Sequence, residues 1–118
     1  MSRHEFHTHS SDGTAVCIQC GWDAPLGGFY LLVSREEDRY DYLFNNLDHS
    51  PSHPESFEVF KVILEMMGID LPCRMLQEMD EDAKNQIVNK YVIHHVIDGV
   101  YSRDAKASGE VSARARAR

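Results

Sequence analysis

The sequence predicts an α+β domain in which an antiparallel meander of about four strands is packed by two helices. Short strand-like runs separated by turn residues fill the first part of the chain, and apolar residues recur at helical spacing in the middle. A chain of 118 residues with 42% hydrophobic content suits one modest core. We expect a single domain over 1–103. The segment 104–118 is rich in Ala, Ser, Gly and charge and is predicted to be a disordered tail.

The strands are predicted in the first half of the chain. Asp12-Gly13 is a two-residue turn between two strand-like runs and indicates a hairpin. The only tryptophan, Trp22, lies in the next turn, where a buried ring would anchor the chain. Phe29 to Val33 is apolar on both faces, as in a covered strand, and Tyr40 to Leu47 alternates like a half-exposed one. These segments account for the four strands.

The two helices follow. Ser52 can cap a helix that has Pro54 in its first turn, and Gly68 suits the end of that helix. A second helix is expected to start at Asp70-Leu71-Pro72, with Asp80-Glu81-Asp82 as its solvated edge.

The segment from Ile87 to Tyr101 has two interpretations. Its β-branched residues and the Asp98-Gly99 turn favour a strand hairpin. The four-residue spacing of Ile87, Tyr91 and His95 leaves a helix as the alternative.

Composition excludes several classes of protein. A formal charge of −7 argues against a nucleic-acid surface, which needs a concentrated positive field. No apolar run reaches the length of about 18 residues that crosses a bilayer. Three cysteines form no paired disulfide framework, and Met1 to Glu5 does not resemble a secretory signal. We therefore expect a cytoplasmic protein with reduced thiols and no cofactor.

Cys17-Ile18-Gln19-Cys20-Gly21 has the shape of a zinc knuckle. A tetrahedral site needs two further ligands, which histidines would have to supply. In a strand, residues three apart point to opposite faces, so the two sulfurs would diverge. A zinc-binding protein that uses Cys17 and Cys20 with histidines is therefore kept as an alternative, and no metal ligand is assigned.

Residues His7 to Gly13 resemble a shortened first metal motif of PHP-type phosphoesterases. Two spacer residues of that motif are absent, and the resemblance covers only these seven positions. The chain also lacks a nucleophile elbow and a phosphate-binding glycine loop. We assign no catalytic residue and predict that the protein is not an enzyme; an unrecognised enzyme is the remaining alternative.

Protein binding is then the predicted function, because the apolar content exceeds what this small fold is expected to hide. The candidate contact residues lie on the first helix, and methionine-rich faces suit adaptable interfaces. They are Phe60, Ile63, Met66 and Met67. Homodimerisation is the commonest way to cover such a surface.

The Gly21-Trp22-Asp23-x-Pro25-Leu26 turn, followed by an aromatic-rich strand, resembles a group of short bacterial proteins of unassigned activity. The resemblance covers residues 14–72 and implies a shared α+β fold without catalytic residues. Size and acidity also resemble small quorum-sensing antiactivators of the QslA type. That likeness implies a regulatory protein that blocks dimerisation and DNA binding of a LuxR-type transcription factor.

Overall fold

The computed structural model describes residues 1–106, which form six strands, two α-helices and one 3-10 turn. The strands are β1 (Ser2–His9), β2 (Ala15–Asp23), β3 (Gly28–Arg35), β4 (Tyr42–Asn45), β5 (Lys90–Ile97) and β6 (Val100–Lys106). The helices are α1 (Glu58–Met66) and α2 (Cys73–Lys84), and the 3-10 turn covers Asn46–Asp48. The predicted tail over 104–118 starts too early, because its first residues belong to β6. Residues 107–118 lie outside the described part of the chain.

The strands form one mixed sheet in the order β4-β3-β2-β1-β5-β6. The first four make the predicted antiparallel meander. After the two helices the chain returns as β5, which lies parallel to β1, and β6 then pairs antiparallel with β5. The α+β class is therefore confirmed, whereas the predicted antiparallel meander of about four strands is only part of a six-stranded mixed sheet that contains the parallel β1–β5 pair.

The last third of the described chain is a hairpin, as its β-branched content favoured. The turn residues Asp98 and Gly99 have φ angles of 52° and 78°. Positive φ at both central positions defines the turn type whose twist matches that of the flanking strands. This local geometry rules out the alternative of a helix through 87–101.

Helix α1 begins at Glu58, later than the Ser52-Pro54 signal predicted, and ends at Met66. Gly68 follows with a φ of 75°, the left-handed conformation expected just past a helix end. Helix α2 begins directly after Pro72, close to the predicted start. No helix within residues 1–106 is long and apolar enough to cross a membrane.

The two faces of the sheet have different environments. On the helix-side face, His4 and Phe6 of β1 lie beside Cys20 and Ile18 of β2, and the core of the protein fills the space below the helices. On the other side, called here the open face, Glu5 and His7 alternate with them along β1.

This core uses most of the apolar residues that were predicted to be in excess. Helix residues Phe57, Phe60, Leu64, Met75 and Met79 join strand residues Trp22, Phe29, Leu31 and Val33 in a single buried cluster. The exposed apolar surface of the protein is therefore smaller than its composition predicts.

Candidate functional site

A network of polar side chains, buried at its centre and reaching solvent at its edge, lies between α2 and the β1-β5-β6 side of the sheet. We call it the histidine cluster; it comprises His4, Glu78, Asp82, Lys90, His94, Tyr101 and Arg103. His4, Asp82 and His94 are each no more than 1% exposed. Burial of several polar groups side by side costs free energy of folding unless each group has a hydrogen-bond partner.

Three elements bring the cluster together. Parallel pairing of β1 with β5 places His4 and His94 on the helix-side face, although 90 positions separate them in sequence. Glu78 and Asp82 are four residues apart on α2 and so share the helix face that looks onto the sheet. Arg103 lies opposite His94 across the β5–β6 ladder.

The hydrogen bonds of the cluster form a continuous chain. Tyr101 Oη lies 2.7 Å from His94 Nδ1, His94 Nε2 lies 2.8 Å from His4 Nδ1, and His4 Nε2 lies 2.6 Å from Asp82 Oδ2. A carboxylate only accepts, so His4 Nε2 carries the proton that faces Asp82. With both histidines neutral, His4 Nδ1 then accepts from His94 Nε2–H, and His94 Nδ1 accepts from the Tyr101 hydroxyl.

Two cations balance the two carboxylates of the cluster. Lys90 Nζ lies 2.8 Å from Asp82 Oδ1 and 2.6 Å from Glu78 Oε2. Arg103 donates to both oxygens of Glu78, at 3.0 and 2.6 Å. Burial by itself raises the pKa of Asp82. The hydrogen bonds from His4 and Lys90 lower the pKa by more than burial raises it, so the net pKa lies below its usual value.

Burial, reinforced by the neighbouring His4, lowers the pKa of His94 to about 4. The His94 ring is therefore neutral near pH 7 and can act as an acceptor, a donor or a metal ligand.

Sequence reasoning missed this cluster. It treated Asp80-Glu81-Asp82 as a solvated edge, and this is wrong for Asp82, which is 1% exposed. His94 and His95 are neighbours on β5 and point to opposite faces of the sheet, and His94 is the buried one. No local pattern could link these residues to His4, because only the parallel β1–β5 pairing makes them neighbours.

A second polar group lies on the open face around Glu5. Glu5 accepts hydrogen bonds from His7 at 2.7 Å, Tyr91 at 3.0 Å and Gln19 at 3.3 Å, and His7 Nδ1 lies 2.5 Å from Glu36. Burial alone would lower the pKa of His7, but the hydrogen bonds to the two carboxylates raise it above its usual value. This group is an ion-paired surface network in which both His7 nitrogens are already engaged.

Cys17 and Cys20 do not form a joint metal site. Cys17 pairs with His7 on the open face, whereas Cys20 pairs with His4 and belongs to the core on the helix side. Burial raises the pKa of Cys17 to about 12 and raises that of Cys20 as well, so both are protonated thiols. The alternative of a zinc site built on both cysteines therefore does not fit the fold.

The predicted contact residues on α1 have different environments. Phe60 is fully buried and cannot touch a partner, which corrects its assignment. Ile63 and Met67 are partly buried and pack against the core, while Met66 is 81% exposed. Only Met66 remains as an open surface residue of the predicted set.

The most exposed apolar group on the strands is at the tip of the β5–β6 hairpin. Val96, Ile97 and Val100 are 46%, 66% and 68% exposed. Ile97 pairs with Val100 across the turn. β6 is an edge strand of the sheet, and its outer side pairs with no other strand in residues 1–106. An apolar tip beside an unpaired edge is a surface suited to contact with another chain.

No protein-family model, curated protein or solved structure matches the chain. The resemblances to short bacterial proteins and to QslA-type antiactivators therefore stay predictions.

Proposed function

We propose that this protein is a small regulatory protein that acts by binding another protein, and that it does so through the β5–β6 hairpin. The observation that carries the proposal is the exposed apolar tip, formed by Val96, Ile97 and Val100, beside a sheet edge that pairs with no other strand in the described part of the chain. An exposed edge supplies a row of backbone donors and acceptors to which a partner strand can be added.

The two ends of strand β6 differ in polarity, and this difference favours binding to one kind of partner strand. Val100 begins β6 with an apolar side chain, whereas Arg103, Asp104 and Lys106 give its other end alternating charge. Apolar burial would supply affinity at the tip, and the charges would select a complementary strand and oppose indiscriminate pairing. A second copy of the chain is one such partner, because two β6 edges related by a two-fold axis can extend one sheet into the other.

We further propose that the regulated partner is a transcription factor of the LuxR type, whose dimerisation and DNA binding this protein blocks. Small size, an acidic charge of −7 and the resemblance to QslA-type antiactivators support this choice. Mechanistically, the hairpin would occupy the surface through which the factor pairs with itself.

Substitutions at the hairpin tip test the proposal. Replacing Ile97 and Val100 together by Lys puts two charges into the proposed contact without touching the core. Sedimentation should show a species of twice the 13.5 kDa of one chain for the wild type and a monomer for this variant. Affinity capture from the native cell should likewise lose its partner in the variant.

The matched control places the same two charges on α1. Val62 and Met66 are exposed apolar residues of that helix, so their replacement by Lys leaves the hairpin intact. Loss of binding only in the α1 variant would move the contact surface to the helix and contradict the hairpin assignment. A wild type that is monomeric and captures no protein would overturn the binding function itself. Capture of a protein other than a transcription factor would overturn the antiactivator role alone.

A further inference from the structure

We propose that His4, His94 and Glu78 form a binding site for a divalent transition metal, with Zn²⁺ as the best-suited ion. One ligand atom from each of these residues lies within 4.8 Å of the other two. Two imidazole nitrogens and one carboxylate are a ligand set that binds zinc in proteins and leaves a fourth position open. His94 belongs to β5, but the site lies apart from the apolar hairpin tip formed by Val96, Ile97 and Val100 and uses neither Cys17 nor Cys20.

The surroundings of the two histidines are those that metal-ligating histidines have. Such a ring directs one nitrogen to the ion and holds the other by a hydrogen bond to a carboxylate or similar group. His4 turns Nδ1 inward while Asp82 holds its Nε2, and His94 turns Nε2 inward while Tyr101 holds its Nδ1. Asp82 and Tyr101 thus hold the outer nitrogens of both rings, and the two inner nitrogens face each other across one hydrogen bond.

The two inner nitrogens must move apart and change direction before one ion can bind both. His4 Nδ1 and His94 Nε2 are 2.8 Å apart. Zinc–nitrogen bonds of about 2.1 Å at the tetrahedral angle need roughly 3.4 Å between the two nitrogens. The two nitrogens point at each other, since the ring centroids are 5.1 Å apart, so each ring must also turn. That turn, with a separation of the rings by about half an ångström, would replace one N–H···N hydrogen bond by two metal bonds. His94 would then carry its proton on Nδ1 and donate it to the Tyr101 oxygen.

Access and charge determine how the ion would enter. A polar surface cavity of about 650 Å³ is lined by Arg74, Gln77, Glu78, Glu81, Lys90 and Arg103, so Glu78 faces solvent from the edge of the cluster. Lys90 and Arg103 both bind the Glu78 carboxylate and would compete with the ion for it. We therefore expect that removal of the Arg103 charge strengthens metal binding, an effect that a purely structural network would not produce.

The other candidate ligand group is a weaker choice. Glu5, His7 and Cys17 also lie within reach of one another on the open face. However, both His7 nitrogens face carboxylates, which favour protonation of the ring, whereas the inner nitrogens of His4 and His94 face each other. Cys17 is in addition a buried, protonated thiol. This group serves as the internal control.

The experiment measures metal directly. Metal-stripped full-length protein is dialysed against Zn²⁺ and analysed for bound metal, and Co²⁺ is used as a probe because its visible spectrum reports coordination by nitrogen and oxygen. The wild type should bind one ion per chain. Glu78→Gln and His94→Asn should weaken binding by more than tenfold. Tyr101→Phe should weaken it by about tenfold, because the Tyr101 hydroxyl holds the His94 ring in place. Arg103→Gln should tighten binding severalfold.

His7→Asn is the matched control, since it removes a histidine from the open-face group and should leave the stoichiometry and the Co²⁺ spectrum unchanged. Far-UV circular dichroism verifies that each variant is folded. If His94→Asn does not fold, Glu78→Gln and Arg103→Gln decide the matter, because both side chains reach solvent. A wild type that binds no stoichiometric metal would overturn the site. Loss of metal binding in His7→Asn would also overturn the proposed site. So would a metal affinity that neither Glu78→Gln nor Arg103→Gln changes.

Discussion

Trp22 offers a quantitative test of the core. The ring is 7% exposed, lies edge-on to Phe29 with centroids 5.1 Å apart, and its Nε1 makes no hydrogen bond within the described residues. Burial of about 150–250 Å² at about 25 cal/mol per Å² corresponds to roughly 4–6 kcal/mol. A compact unfolded chain reduces this to about 3–5 kcal/mol, the range seen for large aromatic truncations. Removal of the unpartnered N–H returns about 1–3 kcal/mol. Trp22→Ala should therefore destabilise the protein by about 2 kcal/mol.

Trp22→Phe separates the two contributions. It keeps most of the ring but removes the unpartnered N–H, so its stability should stay within about 1 kcal/mol of the wild type. Urea unfolding should be followed by far-UV circular dichroism, because Trp22 is the only tryptophan and its fluorescence is lost in both variants. With a typical slope, the midpoint of Trp22→Ala falls by about 1–2 M urea. An unchanged midpoint for Trp22→Ala, or an equal loss in both variants, would refute this account of the ring.

Three further predictions concern the helix, the sheet and pH. Phe60→Ala should destabilise the protein by about 3–5 kcal/mol because the ring is fully buried, whereas Met66→Ala should change stability by less than about 0.5 kcal/mol. Urea unfolding midpoints of the two variants measure the difference, and equal midpoints would contradict the assigned environments. Gly21→Ala should destabilise the protein by about 3 kcal/mol, since a Cβ there would lie 2.2 Å from the Ser2 carbonyl oxygen of the neighbouring strand. A thermal melting temperature equal to that of the wild type would disprove this close approach. The pKa of His7 is raised in the fold, so its contribution to stability is complete below the unfolded value of about 6.5 and is lost as pH rises through the folded value. Because His7 is partly exposed, that contribution should be only about 0.5 kcal/mol, and the difference in stability between the wild type and His7→Gln should shrink from pH 6 to pH 9.

Local sequence patterns were enough to predict many of the turns and element ends of the fold. The Asp12-Gly13 and Asp98-Gly99 turns, the apolar run after Gly28 and the glycine at position 68 each act on a few neighbouring residues. The structure has a turn or an element end at each of these places. The start of α1 was misplaced, because Ser52 and Pro54 form a cap-like pattern but the regular helix begins only at Glu58. A capping pattern permits a helix to start without requiring it.

What the chain alone determined is the α+β class, the first four strands and the hairpin at the end, since periodicity and turn chemistry are short-range properties. Only the tertiary structure decided that β5 returns beside β1, that Phe60 faces the core and that Asp82 is buried. The histidine cluster depends on that one long-range pairing, which brings His4 and His94 together across 90 positions. Its members are ordinary residues in sequence and become a site only through their arrangement in space.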